Sequence, residues 1–263
     1  MLVWIKGAGD IASGVAHRLV RSGFQVIMSE IQQPTTVRCT VAFSRAVYES
    51  VAVVEGVTAR LAQNTEQVAP ILKAGEIALV VDPHTHLLTA LQPAALVDAI
   101  LAKRNLNTRI SDAPVVVALG PGFTTGIDCH AVIETQRGHH LGRVLWEGQA
   151  APNTGTPGEI GGYTSERLLR AGASGVFEPL TTIGQTVRAG EKVAVVAGVP
   201  IVAQIDGMVR GLLPAGTLAL AGMKAGDIDP RGKRSYCDTI SDKARAIAGG
   251  VLEALLHLMG GVQ

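Results

Sequence analysis

An apolar run, Leu2 to Ile5, stops at Gly7-Ala8-Gly9, and a helical pattern starts at once. No other stretch limits the possible folds as much. A buried strand that turns on glycine straight into a helix is the phosphate-cradling unit of a dinucleotide fold. In Gly7-x-Gly9-x-x-Ala12 the first glycine permits the tight turn and the second lets backbone approach a diphosphate. Ala12 lets the helix lie close to the strand. The helix, beginning at Asp10, presents N–H groups without intrahelical partners to an anion. Ile11, Val15 and Leu19 recur at helical spacing, and Gly23 closes the element. A second strand, residues 24–28, leads to Glu30, about 20 residues on, where an acid would read a ribose hydroxyl. The same glycines also suit a plain βαβ unit in which they serve packing alone.

The rhythm of strand and helix continues. Residues 41–48 suggest a short helix, 51–57 and 58–61 a bent or broken strand, and 77–81 a buried strand ending at Asp82-Pro83-His84. Residues 93–103 suggest a helix with Leu96, Ile100 and Leu101 on one side, and 115–119 another buried strand ending at Gly120-Pro121-Gly122. Successive β then α elements predict a mostly parallel sheet. Aromatics are only 3% of the 263 residues and 47% are hydrophobic, so the core is built from Val, Ala, Leu and Ile, which suits buried parallel strands. A net charge of +1 without a basic run argues against nucleic acid as a partner.

Past about residue 112 short β runs replace helical spacing. Residues 131–135 and 142–146 are two of them, followed by a turn-rich stretch, 151–162, that fits either a flexible linker or, with Ile160 and Tyr163 as anchors, an ordered surface loop. Residues 175–222 are short β segments separated by turns. Their order resembles a lipoyl/biotinyl barrel-sandwich, but the hairpin Val196-Ala197-Gly198-Val199-Pro200 lacks the lysine that a carrier domain needs. Residues 240–258 predict a long helix with Ile247, Val251, Leu255 and Leu258 on its apolar face. Gly249-Gly250 sit within it, free of side chains so that another backbone can approach, and Gly260-Gly261 end it. The expected fold class is therefore α/β: a Rossmann-like parallel-sheet domain (1–112), a β-rich connecting region (113–165), a β domain resembling a barrel-sandwich (166–232) and a C-terminal helical segment (233–263).

In open α/β sheets ligands bind beyond the carboxyl ends of the strands. That rule gathers Gly7, Gly9, Asp10, Ala12, Glu30, Asp82, Gly120 and Gly122 around one crevice as candidate cofactor-binding residues. Asp82 and His84 fit either an acid/base pair or a turn cap beside a solvated histidine. Arg38, with Arg45, would suit an anionic ligand through forked hydrogen bonds. Asp227 and Asp229 before Arg231 fit either a metal or phosphate site or a self-satisfied turn. Cys39, Cys129 and Cys237 are far apart with no Cys-x-x-Cys, so neither a disulfide framework nor a structural zinc site is expected. Cys129-His130 resembles a nucleophile beside a base, but strand neighbours point to opposite faces. His139-His140, beside Gly138, fits either a metal-binding pair or a surface turn. No 18-residue apolar run predicts a membrane span, and the amino terminus enters a strand without a signal-peptide pattern, so a cytoplasmic protein is expected.

Several further stretches carry a resemblance through nearly the whole chain. They include residues 5–19, 30–35, 40–44 and 119–123, then Pro157-Gly158-Glu159-Ile160-Gly161-Gly162-Tyr163, Gly226-Asp227-Ile228-Asp229-Pro230-Arg231-Gly232 and Ile240-Ser241-Asp242-Lys243-Ala244. Together they resemble the YqeB-type accessory proteins of the selenium-dependent molybdenum hydroxylase system. The resemblance implies a role in maturing molybdenum hydroxylases, an apo-hydroxylase partner, and a pterin or nucleotide ligand, but it assigns no catalytic residues. The molybdenum cofactor is itself a phosphate-bearing anion, which a glycine turn at a helix end suits. Two other functions fit the residues: an NAD(P)-dependent oxidoreductase, with Glu30 favouring NAD, and a non-catalytic scaffold whose β domain docks the hydroxylase.

Overall fold

The computed structural model describes residues 1–260; Gly261, expected to help end the last helix, lies outside them. The chain divides into two compact units. Unit 1 comprises residues 1–34, 42–153 and the C-terminal residues from Ile240, and unit 2 comprises 35–41 and 154–239.

Unit 1 is built on one nine-stranded sheet. Its elements are β1 (Leu2–Lys6), α1 (Asp10–Arg21), β2 (Gln25–Glu30), α2 (Ala46–Glu49), β3 (Val51–Val54), β4 (Val57–Leu61), α3 (Val68–Lys73), β5 (Ile77–Val81), α4 (Leu88–Leu91), β6 (Ala95–Asp98), β7 (Val115–Leu119), β8 (Ala131–Ile133) and β9 (Val144–Leu145). The order across the sheet is β3-β4-β5-β2-β1-β6-β7-β8-β9. The strands from β4 to β8 run parallel, while β3 and β9 are antiparallel at the two edges. Central strands β1, β5, β6 and β7 are almost wholly buried, which is why they read as unbroken apolar runs. Trp4, Ile27, Leu96, Val116 and Val132 form a core on one face of this sheet.

Unit 2 is antiparallel β. Its elements are β10 (Leu168–Arg170), β11 (Gly175–Pro179), β12 (Thr186–Val187), β13 (Lys192–Val196), β14 (Val199–Val202), β15 (Gly207–Leu212), β16 (Leu218–Ala219), β17 (Lys224–Asp229) and α5 (Ser235–Asp238). Two four-stranded sheets, β10-β17-β15-β12 and β14-β13-β11-β16, enclose a core around Phe177, Val193, Val196, Val209, Ala225 and Ile228. The loop at 151–162 is closed by an Ile160–Tyr163 bridge. The last helix, α6 (Asp242–Leu258), is capped by the Ser241 side chain and belongs to unit 1, where it lies against α1 and β7–β9.

The expected fold class needs correcting. The sheet of unit 1 is mixed, and it continues past residue 112 through β7, β8 and β9. Residues 93–103 are not a helix: Ala95–Asp98 form β6, hydrogen-bonded between β1 and β7 and buried throughout. A short apolar run carries no period able to separate a buried strand from a helix. In unit 2 no lipoyl/biotinyl barrel-sandwich is shown. One sheet draws on β10 and β17, outside the 175–222 stretch that suggested that fold, and residues 35–41 join it through Leu212 N–H donating to the Val37 carbonyl at 2.7 Å.

Candidate functional site

The sheet order reverses at β1. From β1 the chain builds outward through β2 and β5, then crosses back to place β6 on the other side of β1. A crevice beyond the carboxyl ends of β1 and β6 is where such a sheet places ligands. Gly7 leaves β1 with φ +91°, a conformation that favours glycine, and its N–H donates to the Ser29 carbonyl at 2.8 Å. A Cβ on Gly7 would sit 3.2 Å from the Ala99 carbonyl oxygen, so the segment after β6 runs directly over this turn. Gly9 is the N-cap of α1 without a side-chain cap, Asp10 begins the helix, and Ala12 is buried at its first turn. The Ala8 carbonyl accepts from Ser13 Oγ at 3.1 Å and from Ser44 N–H at 2.9 Å, which fixes the turn from below.

Glu30 ends β2 beside that turn. One carboxylate oxygen accepts from Ala8 N–H at 2.9 Å and the other from Ile31 N–H at 2.8 Å. Burial pushes the Glu30 carboxyl above its ordinary range, against the pull of these two hydrogen bonds. The carboxylate thus braces the glycine turn.

The remaining expected site residues are dispersed. Asp82, at the end of β5, accepts from His86 N–H and Leu87 N–H, both at 2.9 Å, and serves as a turn cap. Gly120 and Gly122 follow β7, two strands from β1. Gly122 (φ +105°) lies so close to Arg104 that a Cβ would come within 2.4 Å of its Cα. The Gly-Pro-Gly turn is therefore covered by the chain's own backbone. Arg38 belongs to unit 2, where it is buried and donates to the Tyr236 and Thr239 carbonyls at 3.0 and 3.1 Å. Asp229 accepts from Arg231 Nε at 2.9 Å and from its terminal nitrogen at 2.6 Å, with Arg210 at 3.5 Å; this is an internal ion-pair cluster. Cys129 is fully buried, and His130 Nδ1 accepts from Val116 N–H at 2.9 Å. Among the described residues no group of three or more His, Cys, Asp or Glu could hold a metal ion. None of the helices searched there is long and apolar enough to cross a membrane.

Two features at this edge escaped the sequence reading. Lys6, the last residue of β1, is 1% exposed; its ammonium donates to Asn107 Oδ1 at 2.5 Å and Thr108 Oγ1 at 2.6 Å and pairs with Asp98 at 3.7 Å. Thr108 Oγ1 in turn donates to Asp98 at 2.6 Å. Burial pulls the Lys6 pKa below the ordinary lysine range, and Asp98 opposes that shift. The network ties residues 99–114 down across the crevice although they form no helix, with Leu101 and Lys103 held in left-handed backbone. The second feature is Lys243, in the first turn of α6. Burial lowers its pKa, Arg137 and Lys103 lower it further, and Asp10 and Glu134 oppose. A lysine inside an apolar strand just before glycine was a readable signal for Lys6; nothing local marks Lys243.

Mixed α/β architecture and a glycine-turned helix end at the sheet's reversal point define the class: an α/β protein with a candidate anion-binding edge. No family model matches the chain. It is 54% identical over 258 residues to the uncharacterized protein YqeB of Escherichia coli (strain K12), a match covering 98% of this chain and 48% of that protein. The chain belongs to the YqeB family and spans about half the length of this curated relative. Solved structures with some likeness include a succinylglutamate desuccinylase from Silicibacter sp. TM1040 (13% identity, 86% of this chain and 84% of that one, TM-score 0.26). Another is the product-bound ectoine utilization protein EutE (DoeB) from Ruegeria pomeroyi (12% identity, 86% and 84%, TM-score 0.26). Similarity at that level carries no argument about fold or activity.

Proposed function

We propose that this protein binds a phosphate-bearing small ligand, molybdenum cofactor or a nucleotide, as an accessory factor in the maturation of selenium-dependent molybdenum hydroxylases. The observation that carries the ligand reading is the glycine turn at the reversal point of the sheet, where α1 begins at Gly9 with no side-chain cap. Lys243, half-buried in the first turn of α6, lies among two cations, Arg137 and Lys103, and two carboxylates, Asp10 and Glu134. The first-turn N–H groups of α1 are donors suited to an anion, and the Lys243 ammonium adds positive charge near Asp10. The maturation role rests on the motif resemblance through nearly the whole chain. The cofactor is cargo in this reading: Lys243 and the α1 amides would hold its phosphate. Its sulfur or selenium does not call on Cys129, whose buried thiol stays protonated. The NAD(P) reading uses Glu30 for a ribose, and each Glu30 oxygen, already accepting one backbone N–H, keeps a second lone pair for such a contact.

Thermal shift tests this with NAD, NADP, AMP, cytidine nucleotides and molybdenum cofactor as probes. A ligand at 100 times its dissociation constant stabilises by about 2.7 kcal/mol. Molybdenum cofactor or a nucleotide should raise the melting temperature of the wild type, and Lys243→Met should abolish the rise. A shift with NAD alone would favour the oxidoreductase, and no shift with any probe would end the reading.

A further inference from the structure

The chain leaves β6 into a loop whose two ends are pinned by one carboxylate. Asp98 Oδ1 accepts from Ile100 N–H at 3.2 Å, and Asp98 Oδ2 accepts from Thr108 Oγ1 at 2.6 Å. Lys6 donates to the same Thr108 hydroxyl, and the Asn105 amide donates to the Thr108 carbonyl at 2.8 Å and to Asp128 at 3.0 Å. Residues 99–108 are therefore a compact loop whose ends meet, an arrangement that is frequently functional. Ala99 and Thr108 are its buried residues, and its large apolar side chains Ile100 (37% exposed) and Leu106 (50%) stay outside the core. The feet are thus held by polar ties, with little buried apolar surface. A segment held in that way opens locally at low cost.

Between the feet the ties stop. Among the described residues, 101–104 make no hydrogen bond and no ion pair. Leu101 and Lys103 have φ +60° and +64°, a conformation that non-glycine residues rarely adopt. This tip lies across the crevice. Ala99 and Ile100 pass over the Gly7 turn at one foot, and the Arg104 backbone rests on Gly122, where a Cβ would collide with it. Lys103 is close enough to Lys243 to lower its pKa, and Lys243 also senses Asp10, the first residue of α1. Lys103 and Arg104 are both exposed and have no acidic partner. Two such cations above the uncapped start of a helix complement a phosphate, the guanidinium through forked hydrogen bonds. We propose that residues 101–104 are the tip of a lid that closes over the anion at the α1 edge, with Lys103 and Arg104 contacting its phosphate. The proposal rests on the anion-binding reading above, and adds to it the side chains that recognise the phosphate and the movement that admits it. The feet at Asp98 and Lys6 stay fixed, and the tip moves between them.

Inorganic pyrophosphate is the probe, titrated into the full chain by calorimetry. Lys103→Gln and Arg104→Gln should each weaken binding at least tenfold. Arg109→Gln removes the same charge beyond the second foot and should change binding less than twofold. All three side chains are exposed, and circular dichroism should show each variant folded. Hydrogen exchange supplies a readout that bare charge would not move: amides 101–104 should exchange rapidly in the free protein and at least fivefold more slowly with pyrophosphate bound. Binding that ignores both tip variants, or that leaves exchange at 101–104 unchanged, would overturn the lid and leave the anion site standing. Equal weakening by Arg109→Gln would reduce the effect to net charge and overturn it as well. A wild type that ignores pyrophosphate would also overturn the lid, and the nucleotide thermal shifts would then decide the underlying site separately.

Discussion

Burial decides the thiol chemistry of this molecule. Desolvation pushes the Cys129 thiol up to about 12, and Asp128 and Asp98 add to the shift. The Cys237 thiol is also raised, chiefly by burial. Because the thiolate is the reactive form, a thiol reagent at pH 8 should leave both unmodified while the fold holds and modify both in urea. Labelling of Cys129 in the native protein would contradict this assignment. Asp229 shows the opposite balance. Burial would raise its pKa, yet hydrogen bonds from Arg231 and the charge of Arg210 hold the carboxyl below its ordinary value. Its folded pKa therefore lies below the unfolded value of about 3.9, so its stabilisation is complete above pH 4 and fades as pH falls through the folded pKa. Breaking a buried pair by removing one partner costs about 3 kcal/mol. Asp229→Asn should lose about that much at pH 7 in urea denaturation, and the gap from wild type should narrow at pH 3.

At the scale of elements, the two adjacent glycines of α6 have different reasons to be there. A Cβ on Gly250 would fall 2.1 Å from the Gly142 carbonyl oxygen and 3.1 Å from Ile133, whereas one on Gly249 meets nothing within 4 Å. Gly250→Ala should destabilise by about 1–3 kcal/mol through overpacking, and Gly249→Ala should stabilise by about 0.5–1 kcal/mol through helix propensity. Paired denaturation curves check both signs. The pattern of α6 was readable because its apolar face repeats at helical spacing over many residues. β5 and β7 were readable because turn residues bound their apolar runs, Asp82-Pro83 after one and Gly120-Pro121-Gly122 after the other. β6 was lost because Leu96, Ile100 and Leu101 imitate a helical stripe in a segment where pairing with β1 and β7 decides the outcome. The same cause hid much of the candidate site. Gly7 and Gly9 announce themselves through backbone freedom and short spacing. Lys6 and Asp98 become partners only through the register of β1 with β6, and Lys243 reaches the edge only because α6 returns to unit 1.

That return has a consequence for the whole molecule. Unit 2 occupies most of the sequence between β9 and α6, yet α6 completes the unit built by the first half of the chain. The close fit is on both sides of the helix: Gly14 of α1 would place a Cβ 2.8 Å from that of Ala244, and Gly250 meets the Gly142 carbonyl. Ala244, Ile247, Ala248, Val251, Ala254 and Leu255 are all buried, so removing α6 would uncover an apolar stripe on unit 1. At about 25 cal/mol for each Å² of apolar surface returned to water, the loss from even a few such side chains is comparable to the 5–15 kcal/mol that stabilises a typical domain. The core of unit 2, around Phe177, Val193 and Ile228, includes no residue of α6. A chain ending at Thr239 should therefore lose slow hydrogen exchange in β1, β6 and β7 while β13 and β15 keep theirs. Retained protection in β1 would mean that α6 is dispensable to unit 1, and equal loss in β13 would mean that the two cores fold as one.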